Sequence, residues 1–277
     1  MAQKQKRKVV VAVAPVGKHI TNPAVENPLT PEAIAAQTVA CARAGASMVH
    51  LHVRDEKGEP TGRLEMFRRT LDLIRKESDI IIQGSTGGAA NLSLEERCVS
   101  LDEPRTEVAS LNMGSVNFGE DVYINRYPDI RFWAGRMSEA RVLPEMEVFD
   151  LSMMDTVRIL HAEGVLKAPL HLNFCLGFQG ALPPRAEMLH ILKSQLPAGA
   201  KWGFLHERME DLDLHAVALG MGADVVRVGF EDGVTWAPGE TARTNVELVE
   251  RLVGLVRAAG LEVATASEAR SILGVLK

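Results

Sequence analysis

The segment Ala46-Ser47-Met48-Val49-His50-Leu51-His52-Val53 joins a short apolar run to two histidines. The apolar run is typical of a buried β-strand. Side chains two residues apart on a strand point to the same face, so His50 and His52 are predicted to lie side by side at the strand end. Together with a third ligand, ideally a carboxylate, two such imidazoles can bind a divalent metal. A pair of hydrogen-bonded core histidines is the alternative, because short motifs of this kind also arise by chance.

Strand-like segments and helical patterns alternate on both sides of these histidines. The predicted strands are residues 8–14, 47–53, 79–84, 107–113, 142–148, 169–175, 200–205 and 223–229. The predicted helices are residues 31–45, 63–77, 93–101, 121–139, 151–163, 185–196, 211–220 and 243–259. Eight strand–helix units favour parallel strands closed into a (β/α)8 TIM barrel, with a doubly wound open sheet as the alternative. Residues 1–277 are predicted to form this single barrel domain, because no linker or repeat divides them.

Two helix starts carry specific signals. Thr30-Pro31 has the pattern of an N-cap followed by proline at the first helical position. Thr265-Ala266-Ser267-Glu268 resembles a capping box and predicts one further short helix.

Composition excludes several classes of protein. The chain is 46% hydrophobic, enough for a sizeable core, and its formal net charge of −5 with scattered basic residues predicts no nucleic-acid surface. The apolar run Val9–Val16 follows four basic residues but is short, which indicates a first strand rather than a signal peptide. Apolar runs of membrane-spanning length are missing, so no membrane association is predicted. Cys41, Cys98 and Cys175 are widely spaced, which predicts a cytoplasmic protein without disulfides.

The carboxyl ends of barrel strands carry the chemistry in this fold, so the polar residues there are the site candidates. They are His50, His52, Ser85, Ser110, Asn112, Glu145, Glu147, His171, Asn173, Arg227, Glu231 and Asp232. A barrel mouth with two histidines and several carboxylates suits a metal. The remaining histidines fall in predicted loops or helices and are expected to be ordinary: His19, His161, His190, His206 and His215.

A glycine-rich segment, Gly84-Ser85-Thr86-Gly87-Gly88, lies between a predicted strand and a predicted helix. Glycines let the backbone approach a ligand, and N–H groups at a helix start attract anions. The segment lacks the G-x-G-x-x-G pattern, so NAD is not predicted. A carboxylate or phosphate site and a plain tight turn are equal alternatives.

The segment Val225–Asp232 carries a buried arginine among apolar residues. Arg227 shares a strand face with Gly229, and Glu231 continues that face if the strand extends, as a third ligand to the two histidines. Asp232 could pair with Arg227, whose unpaired burial would be costly. A surface loop with two solvated carboxylates is the alternative.

Glu145 and Glu147 lie two apart on one predicted strand and share a face. They are interpreted either as partners of a ligand histidine or as structural residues, with Glu145 paired to an arginine.

Five motifs in the same order resemble those of the β-keto acid cleavage enzyme family, over essentially the whole chain. They are His-Leu-His-Val-Arg-Asp at 50–55, Ser-Thr-Gly-Gly at 85–88, Leu-Asn-Met-Gly-Ser-Val-Asn-Phe-Gly at 111–119, Pro-Glu-Met-Glu at 144–147 and Arg-Val-Gly-Phe-Glu-Asp at 227–232. The resemblance implies a zinc-bound (β/α)8 barrel, usually a homotetramer. It also implies condensation of a β-keto acid with acetyl-CoA to give acetoacetate and a new acyl-CoA.

The resemblance also implies a role for each matching residue. It implies zinc ligands at His50, His52 and Glu231, a proton-transfer pair at Arg227 and Asp232, carboxylate binding at Ser85, Gly88 and Ser110, and a supporting acid at Glu147. The zinc would polarise the substrate ketone while Asp232 removes a proton from the acetyl-CoA methyl group. A metal-dependent aldolase or hydrolase without coenzyme A, and a non-catalytic ligand-binding barrel, are the competing hypotheses.

Two positions depart from the family pattern. Gly17 occupies the place of a glutamate that receives the substrate ammonium in the aminohexanoate enzymes, so an amino-substituted substrate is not expected. The exit of the seventh strand, residues 204–208, lacks the expected glycine-rich turn, which leaves the coenzyme A contacts open.

Overall fold

Eight parallel strands close into a barrel in the computed structural model, which describes residues 6–17, 20–87 and 92–275. They are β1 (Lys8–Val13), β2 (Met48–His50), β3 (Ile81–Ser85), β4 (Val108–Asn112), β5 (Leu143–Val148), β6 (His171–Leu176), β7 (Lys201–His206) and β8 (Val225–Val228). Each strand pairs in parallel with the next, and β8 pairs with β1 through Val225 opposite Val10. This last pairing closes the sheet, so the (β/α)8 prediction is confirmed and the open-sheet alternative is wrong.

Helices follow the strands along the chain and cover the outside of the barrel. They are α1 (Pro31–Ala44), α2 (Leu64–Arg75), α3 (Leu94–Arg97), α4 (Tyr127–Ala140), α5 (Ser152–Ala162), α6 (Ala186–Ser194), α7 (Asp213–Met221), α8 (Asn245–Ala258) and α9 (Ala266–Leu273). The two predicted helix starts are confirmed, because Thr30 caps α1 and Thr265 forms a complete capping box with Glu268. Among the described residues, none of these helices has both the length and the apolarity to cross a membrane.

The segment between β4 and α4 differs from the prediction. A helix was expected from residue 121, but Asp121–Tyr123 pairs antiparallel with Val116–Phe118, and the helix begins at Tyr127. Gly119 has a φ of 67°, a left-handed conformation that glycine adopts at little cost in a tight hairpin. The hairpin extends from the carboxyl end of the barrel and therefore belongs to the same end as the candidate site.

The interior of the barrel is apolar at one end and polar at the other. Apolar side chains from six strands pack with α9 at the amino end: Val10, Met48, Ile81, Val108, Leu143, Val225, Ala269 and Leu273. Glu145 and Glu147 lie two and four residues after Leu143 and share its inward face. The alternating pattern thus fills the amino end with a core and leaves the carboxyl end for polar chemistry.

Candidate active site

Three predicted ligands meet at the carboxyl end of the barrel. His50 ends β2, His52 lies two residues later, and Glu231 follows β8. The Nε2 atoms of His50 and His52 are 3.2 Å apart, and they lie 3.7 Å and 3.6 Å from the two carboxylate oxygens of Glu231. A tetrahedral site with bonds of ~2.0–2.1 Å separates its ligand atoms by ~3.3 Å. The donor set therefore fits a small divalent metal such as zinc.

A glutamine that sequence analysis missed orients the first histidine. Gln83 pairs with His50 across β2 and β3, and its Oε1 accepts a hydrogen bond of 2.9 Å from His50 Nδ1. This bond places the proton on Nδ1 and turns the lone pair of Nε2 toward His52 and Glu231. Burial lowers the pKa of His50 to about 3, although Glu231 opposes the shift, so the ring is neutral as a ligand requires.

Glu231 reaches the histidines through a sharp turn rather than through an extended strand. The strand ends at Val228, and Gly229 adopts a φ of 150° that side chains rarely allow. A Cβ on Gly229 would stand 2.2 Å from the carbonyl oxygen of Ala14, so only glycine permits this close approach. The backbone N–H of Glu231 then donates to the same carbonyl oxygen at 3.1 Å. Glu231 lies beside the two histidines as expected, although the strand does not extend to it.

Arg227 and Asp232 form a buried pair beside this triad. The guanidinium donates to both oxygens of Asp232, with distances of 2.9 Å and 2.5 Å, and lies 3.5 Å from Glu231. The two residues are only 3% and 2% exposed. Burial opposes the charge of Arg227, but Asp232 and Glu231 outweigh it and raise its pKa above the ordinary value. The pairing predicted between Arg227 and Asp232 is therefore present.

Two predicted carboxylate-binding serines also meet. Ser110 Oγ donates to Ser85 Oγ at 3.3 Å, and the backbone N–H of Gly87 donates to the same Ser85 oxygen at 2.8 Å. Thr86 supports the turn through a hydrogen bond of 2.7 Å from its hydroxyl to the Ser110 carbonyl. Gly88, the third predicted carboxylate-binding residue, lies outside the described residues.

Glu145 lies deeper in the barrel with partners that sequence analysis did not predict. Its Oε1 accepts a hydrogen bond of 2.9 Å from Asn173 Nδ2, and its Oε2 lies 3.5 Å from His171 Nε2. These contacts replace the arginine and the ligand histidine that the sequence suggested. Burial lowers the pKa of His171, with Glu145 opposing the shift.

Glu147 lies one step nearer the barrel mouth and is 8% exposed. Burial raises its pKa to about 8, and Arg227 opposes the shift while the neighbouring carboxylates of Glu145, Glu231 and Asp232 add to it. At neutral pH the group is therefore mostly a protonated carboxyl, able to donate a hydrogen bond.

Gly17 lies where the chain leaves β1, close to a buried arginine. A Cβ on Gly17 would stand 2.4 Å from Ile20 Cδ1 and 2.8 Å from the Phe230 carbonyl oxygen, so a larger residue there would displace backbone. Arg54 is 5% exposed and donates a hydrogen bond of 3.0 Å to the Gly17 carbonyl oxygen. Lys18 and His19 lie outside the described residues.

Two of the histidines that were expected to be ordinary are buried wholly or in part. His206 is the last residue of β7 and is half-buried, rather than lying in a loop or helix as expected. His215, on α7, is fully buried and donates a hydrogen bond of 2.9 Å from Nε2 to the Arg227 carbonyl oxygen. His215 therefore supports the strand that carries Arg227.

Comparisons with known proteins identify a family model and relatives that match nearly the whole chain. The family model described as beta-keto acid cleavage enzyme matches residues 8–275. A 3-keto-5-aminohexanoate cleavage enzyme from Fusobacterium nucleatum is 38% identical over 98% of this chain and 99% of its own. A 3-oxoadipate:acetyl-CoA acetyltransferase from Cupriavidus necator is 36% identical over 92% of this chain and 89% of its own. The apo structure of ObcA superimposes with a TM-score of 0.79 at 23% identity, over 90% of this chain and 65% of ObcA, which shows the fold alone.

Proposed function

The chain belongs to the β-keto acid cleavage enzyme family, and we propose that it condenses a β-keto acid with acetyl-CoA in a zinc-dependent reaction. The products are acetoacetate and a new acyl-CoA. The observation that carries the proposal is the triad of His50, His52 and Glu231 beside the buried Arg227–Asp232 pair. A metal-binding donor set next to a positioned acid–base pair serves carbon–carbon bond chemistry better than it serves a purely structural site.

The three triad residues would hold the metal through two nitrogens and one or two carboxylate oxygens. Three protein ligands leave a coordination position open for substrate, as catalytic zinc sites do. When bound, the metal would supply Lewis-acid polarisation of the substrate ketone. Gln83 keeps His50 in the tautomer whose Nε2 can act as a ligand.

The hydroxyls of Ser85 and Ser110 would bind the carboxylate of the β-keto acid. They lie on adjacent inward positions of β3 and β4, which pair directly with one another. The Ser85 hydroxyl also accepts a hydrogen bond from the Gly87 N–H, which orients it within the turn. The hydroxyl proton of Ser85 can then point at a ligand. Gly88, which lies outside the described residues, is proposed to contribute its backbone N–H to the same carboxylate.

Asp232 would take a proton from the carbon between the ketone and the carboxylate of the β-keto acid, rather than from the acetyl-CoA methyl group as the sequence suggested. Acetoacetate forms only if this carbon bonds to the acetyl carbonyl carbon and its bond to the ketone carbon then breaks, while the CoA thiolate passes to the ketone carbon and gives the new acyl-CoA. The two hydrogen bonds from Arg227 fix the carboxylate in one orientation, which general base catalysis requires. Glu147, protonated at neutral pH, can donate a hydrogen bond to an oxygen that gains negative charge in the same space.

The distal group of the β-keto acid is proposed to be neutral or anionic. Gly17 offers no carboxylate for a substrate ammonium, and the buried guanidinium of Arg54 stands next to its carbonyl group. A desolvated ammonium without a partner is costly, and a nearby cation adds repulsion. The relative that acts on 3-oxoadipate, a dicarboxylate by its name, is consistent with this class of substrate.

A panel of β-keto acids tests the reaction. The purified protein is incubated with each acid with and without acetyl-CoA, and acetoacetate and acyl-CoA are quantified. Product formation only with acetyl-CoA supports the proposal, whereas turnover without it favours the aldolase or hydrolase alternative. The kcat/KM values for neutral, dicarboxylic and 5-amino acids measure specificity. A preference for 3-keto-5-aminohexanoate would show that the Gly17 argument is wrong.

Metal content tests the ligands independently. We expect about one zinc per chain in the wild-type protein and loss of that metal after His50→Ala, since the triad then retains two ligands. The matched control is His190→Ala, on α6 away from the barrel mouth. Absence of stoichiometric zinc, or full retention in the His50→Ala variant, would contradict the metal assignment.

A homotetramer in the cytoplasm remains a prediction. Large apolar side chains on the hairpin side of the barrel are exposed, including Val122 at 48%, Ile124 at 47% and Tyr127 at 41%. An exposed apolar surface of this kind supports self-association. Sedimentation velocity of the purified protein tests the oligomeric state.

A further inference from the structure

The hairpin that follows β4 carries a tyrosine into the candidate active site. Tyr123 ends the hairpin strand Asp121–Tyr123, which pairs with Val116–Phe118. A Cβ on Gly87 would stand 2.6 Å from the Tyr123 hydroxyl oxygen and 2.8 Å from Ser85 Oγ. The two hydroxyls therefore face the same small space above the Gly87 backbone. Ser110 Oγ, 3.3 Å from Ser85 Oγ, adds a third hydroxyl to this group.

A buried arginine holds the tyrosine and the glycine-rich turn together. The Arg97 guanidinium carbon lies 5.0 Å from the centre of the Tyr123 ring and 4.1 Å from the Trp133 ring. Its Nε donates to the Thr86 carbonyl oxygen at 3.0 Å, and Nη2 donates to Asn125 Oδ1 at 2.6 Å. These two oxygens are neutral and do not cancel the positive charge of Arg97. The carboxylate of Asp129 also interacts with Arg97, but it is paired with Arg126, so the charge of Arg97 still favours an anion near the turn.

The protonation state of Tyr123 suits a hydrogen-bond donor. Burial raises the pKa of its phenol and Glu147 adds to the shift, while Arg97 and a hydrogen bond with Asn112 oppose it. The hydroxyl therefore keeps its proton at neutral pH. A phenol that remains neutral can donate a hydrogen bond to a carboxylate, and the Tyr123 hydroxyl stands in a group of hydroxyls that face one space.

We propose that Tyr123 is a substrate-binding residue whose hydroxyl donates a hydrogen bond to the carboxylate of the β-keto acid, together with Ser85 and Ser110. The inference rests on the proposed function for the identity of the ligand. It rests on the contacts around Gly87 for the position of the hydroxyl. It also gives Gly87 a reason to be glycine, because any side chain there would fill the space between the two hydroxyls.

The two tyrosines of the chain provide a matched pair of variants. Tyr123→Phe removes only the proposed donor, whereas Tyr127→Phe removes a hydroxyl from an exposed side chain on α4. We expect Tyr123→Phe to raise the KM for the best β-keto acid by about 10- to 100-fold, the scale of one hydrogen bond to a charged group. The KM for acetyl-CoA should stay within about twofold of wild type, and Tyr127→Phe should leave both values unchanged.

A binding measurement separates this inference from the proposed reaction. Zinc-loaded wild-type and variant proteins are titrated with acetoacetate and with methyl acetoacetate, its uncharged ester, by calorimetry. Weaker binding of acetoacetate to Tyr123→Phe, without a comparable effect on the ester, supports the carboxylate contact even if no β-keto acid is turned over. Equal loss for both ligands, unchanged binding of acetoacetate, or no acetoacetate binding to the wild type would overturn it. An altered KM for acetyl-CoA alone would overturn it too.

A spectroscopic titration covers the case in which Tyr123→Phe does not fold. In the Tyr127→Phe protein Tyr123 is the sole tyrosine, so the ultraviolet absorbance of phenolate reports its ionisation alone. Saturating acetoacetate should shift this ionisation to higher pH, because a carboxylate acceptor stabilises the protonated phenol. An unchanged titration in the presence of acetoacetate would contradict the contact.

Discussion

Replacing Gln83 by methionine is expected to weaken zinc binding while leaving the metal-free fold nearly intact. Gln83 is fully buried, and its Oε1 accepts the His50 Nδ1 proton at 2.9 Å. Methionine has a similar volume but cannot accept this bond effectively. Without that acceptor, the neutral His50 ring is more stable with its proton on Nε2, because Glu231 lies 3.7 Å from that nitrogen. Zinc can bind only after that proton returns or leaves, so the altered tautomer lowers the affinity.

The size of the effect follows from the contact that is lost. Outer partners of a ligand histidine contribute about 10- to 100-fold to metal affinity, which corresponds to about 1.4–2.7 kcal/mol. The metal-free protein should change less, because Gln83 Nε2 is itself buried without a hydrogen-bond partner among the described residues. Removing that unsatisfied donor offsets part of the lost hydrogen bond.

Competition against a chromophoric zinc chelator measures the affinity, and urea unfolding of the chelated protein measures the fold. Gln195→Met is the matched control, because it makes the same chemical change at an exposed position, the end of α6, far from the site. Gln83→Glu is the rescue variant, because a carboxylate again accepts the Nδ1 proton and should retain most of the affinity. Zinc affinity of Gln83→Met within about twofold of wild type, or an equal loss in Gln195→Met, would refute the reasoning.

Three further outcomes are expected. Asp232→Asn should retain most of its zinc yet lose turnover by about 10²-fold or more, the scale of general base removal; near-normal kcat at full metal content would identify another base. The pKa of Glu147 is about 8 in the folded protein, against an ordinary value of 4.5 that applies to the unfolded chain. The contribution of Glu147 to the free energy of unfolding is therefore complete below pH 4.5 and is lost as the pH rises toward 8. Urea unfolding of the chelated wild type, relative to Glu147→Gln, should therefore show falling stability across that window, and a pH-independent difference would contradict this. Gly229→Ala should cost at least about 2 kcal/mol of unfolding free energy and most of the zinc, because its Cβ would meet the Ala14 carbonyl oxygen; wild-type stability would show that the turn adapts.

The barrel could be predicted from sequence because each strand is a short apolar run between amphipathic helices. That pattern depends on burial alone, and burial is what the parallel strands of a barrel share. The hairpin after β4 could not be predicted in the same way. Its residues 121–123 precede a true helix, and the turn at Gly119 that folds them back onto residues 116–118 is decided by local backbone geometry.

The three proposed metal ligands could be predicted to different degrees. His50 and His52 follow from the two-residue period of one strand. Glu231 was assigned by extending the same period along β8, yet it reaches the histidines through the turn at Gly229. The period identified a residue that does lie beside the histidines, but for an incomplete reason, because a closed barrel brings every strand end to one mouth regardless of how the last residues turn.

Gln83 and Tyr123 were missed for separate reasons. Gln83 lies inside an apolar run, so the sequence pattern marks it only as part of a strand. Its position does carry a signal, because it lies two residues before Ser85 and therefore shares the inward face of β3. Tyr123 lies in a connection between strand and helix, and no periodicity reports where such a segment folds back. Its position emerges only from the contacts with Gly87 and Arg97.

The charges of the site favour a cation at the triad of His50, His52 and Glu231. Burial keeps His50 neutral and Glu147 protonated at neutral pH, so neither supplies a charge. Arg227 faces two carboxylates, and it makes both of its shorter hydrogen bonds with Asp232. The second carboxylate, Glu231, lies 3.5 Å from Arg227 and beside two imidazole nitrogens, and the guanidinium of Arg54 also interacts with it. A divalent metal at the triad would balance that second carboxylate and free Arg227 to hold Asp232 alone, so metal binding and positioning of the base are expected to reinforce one another.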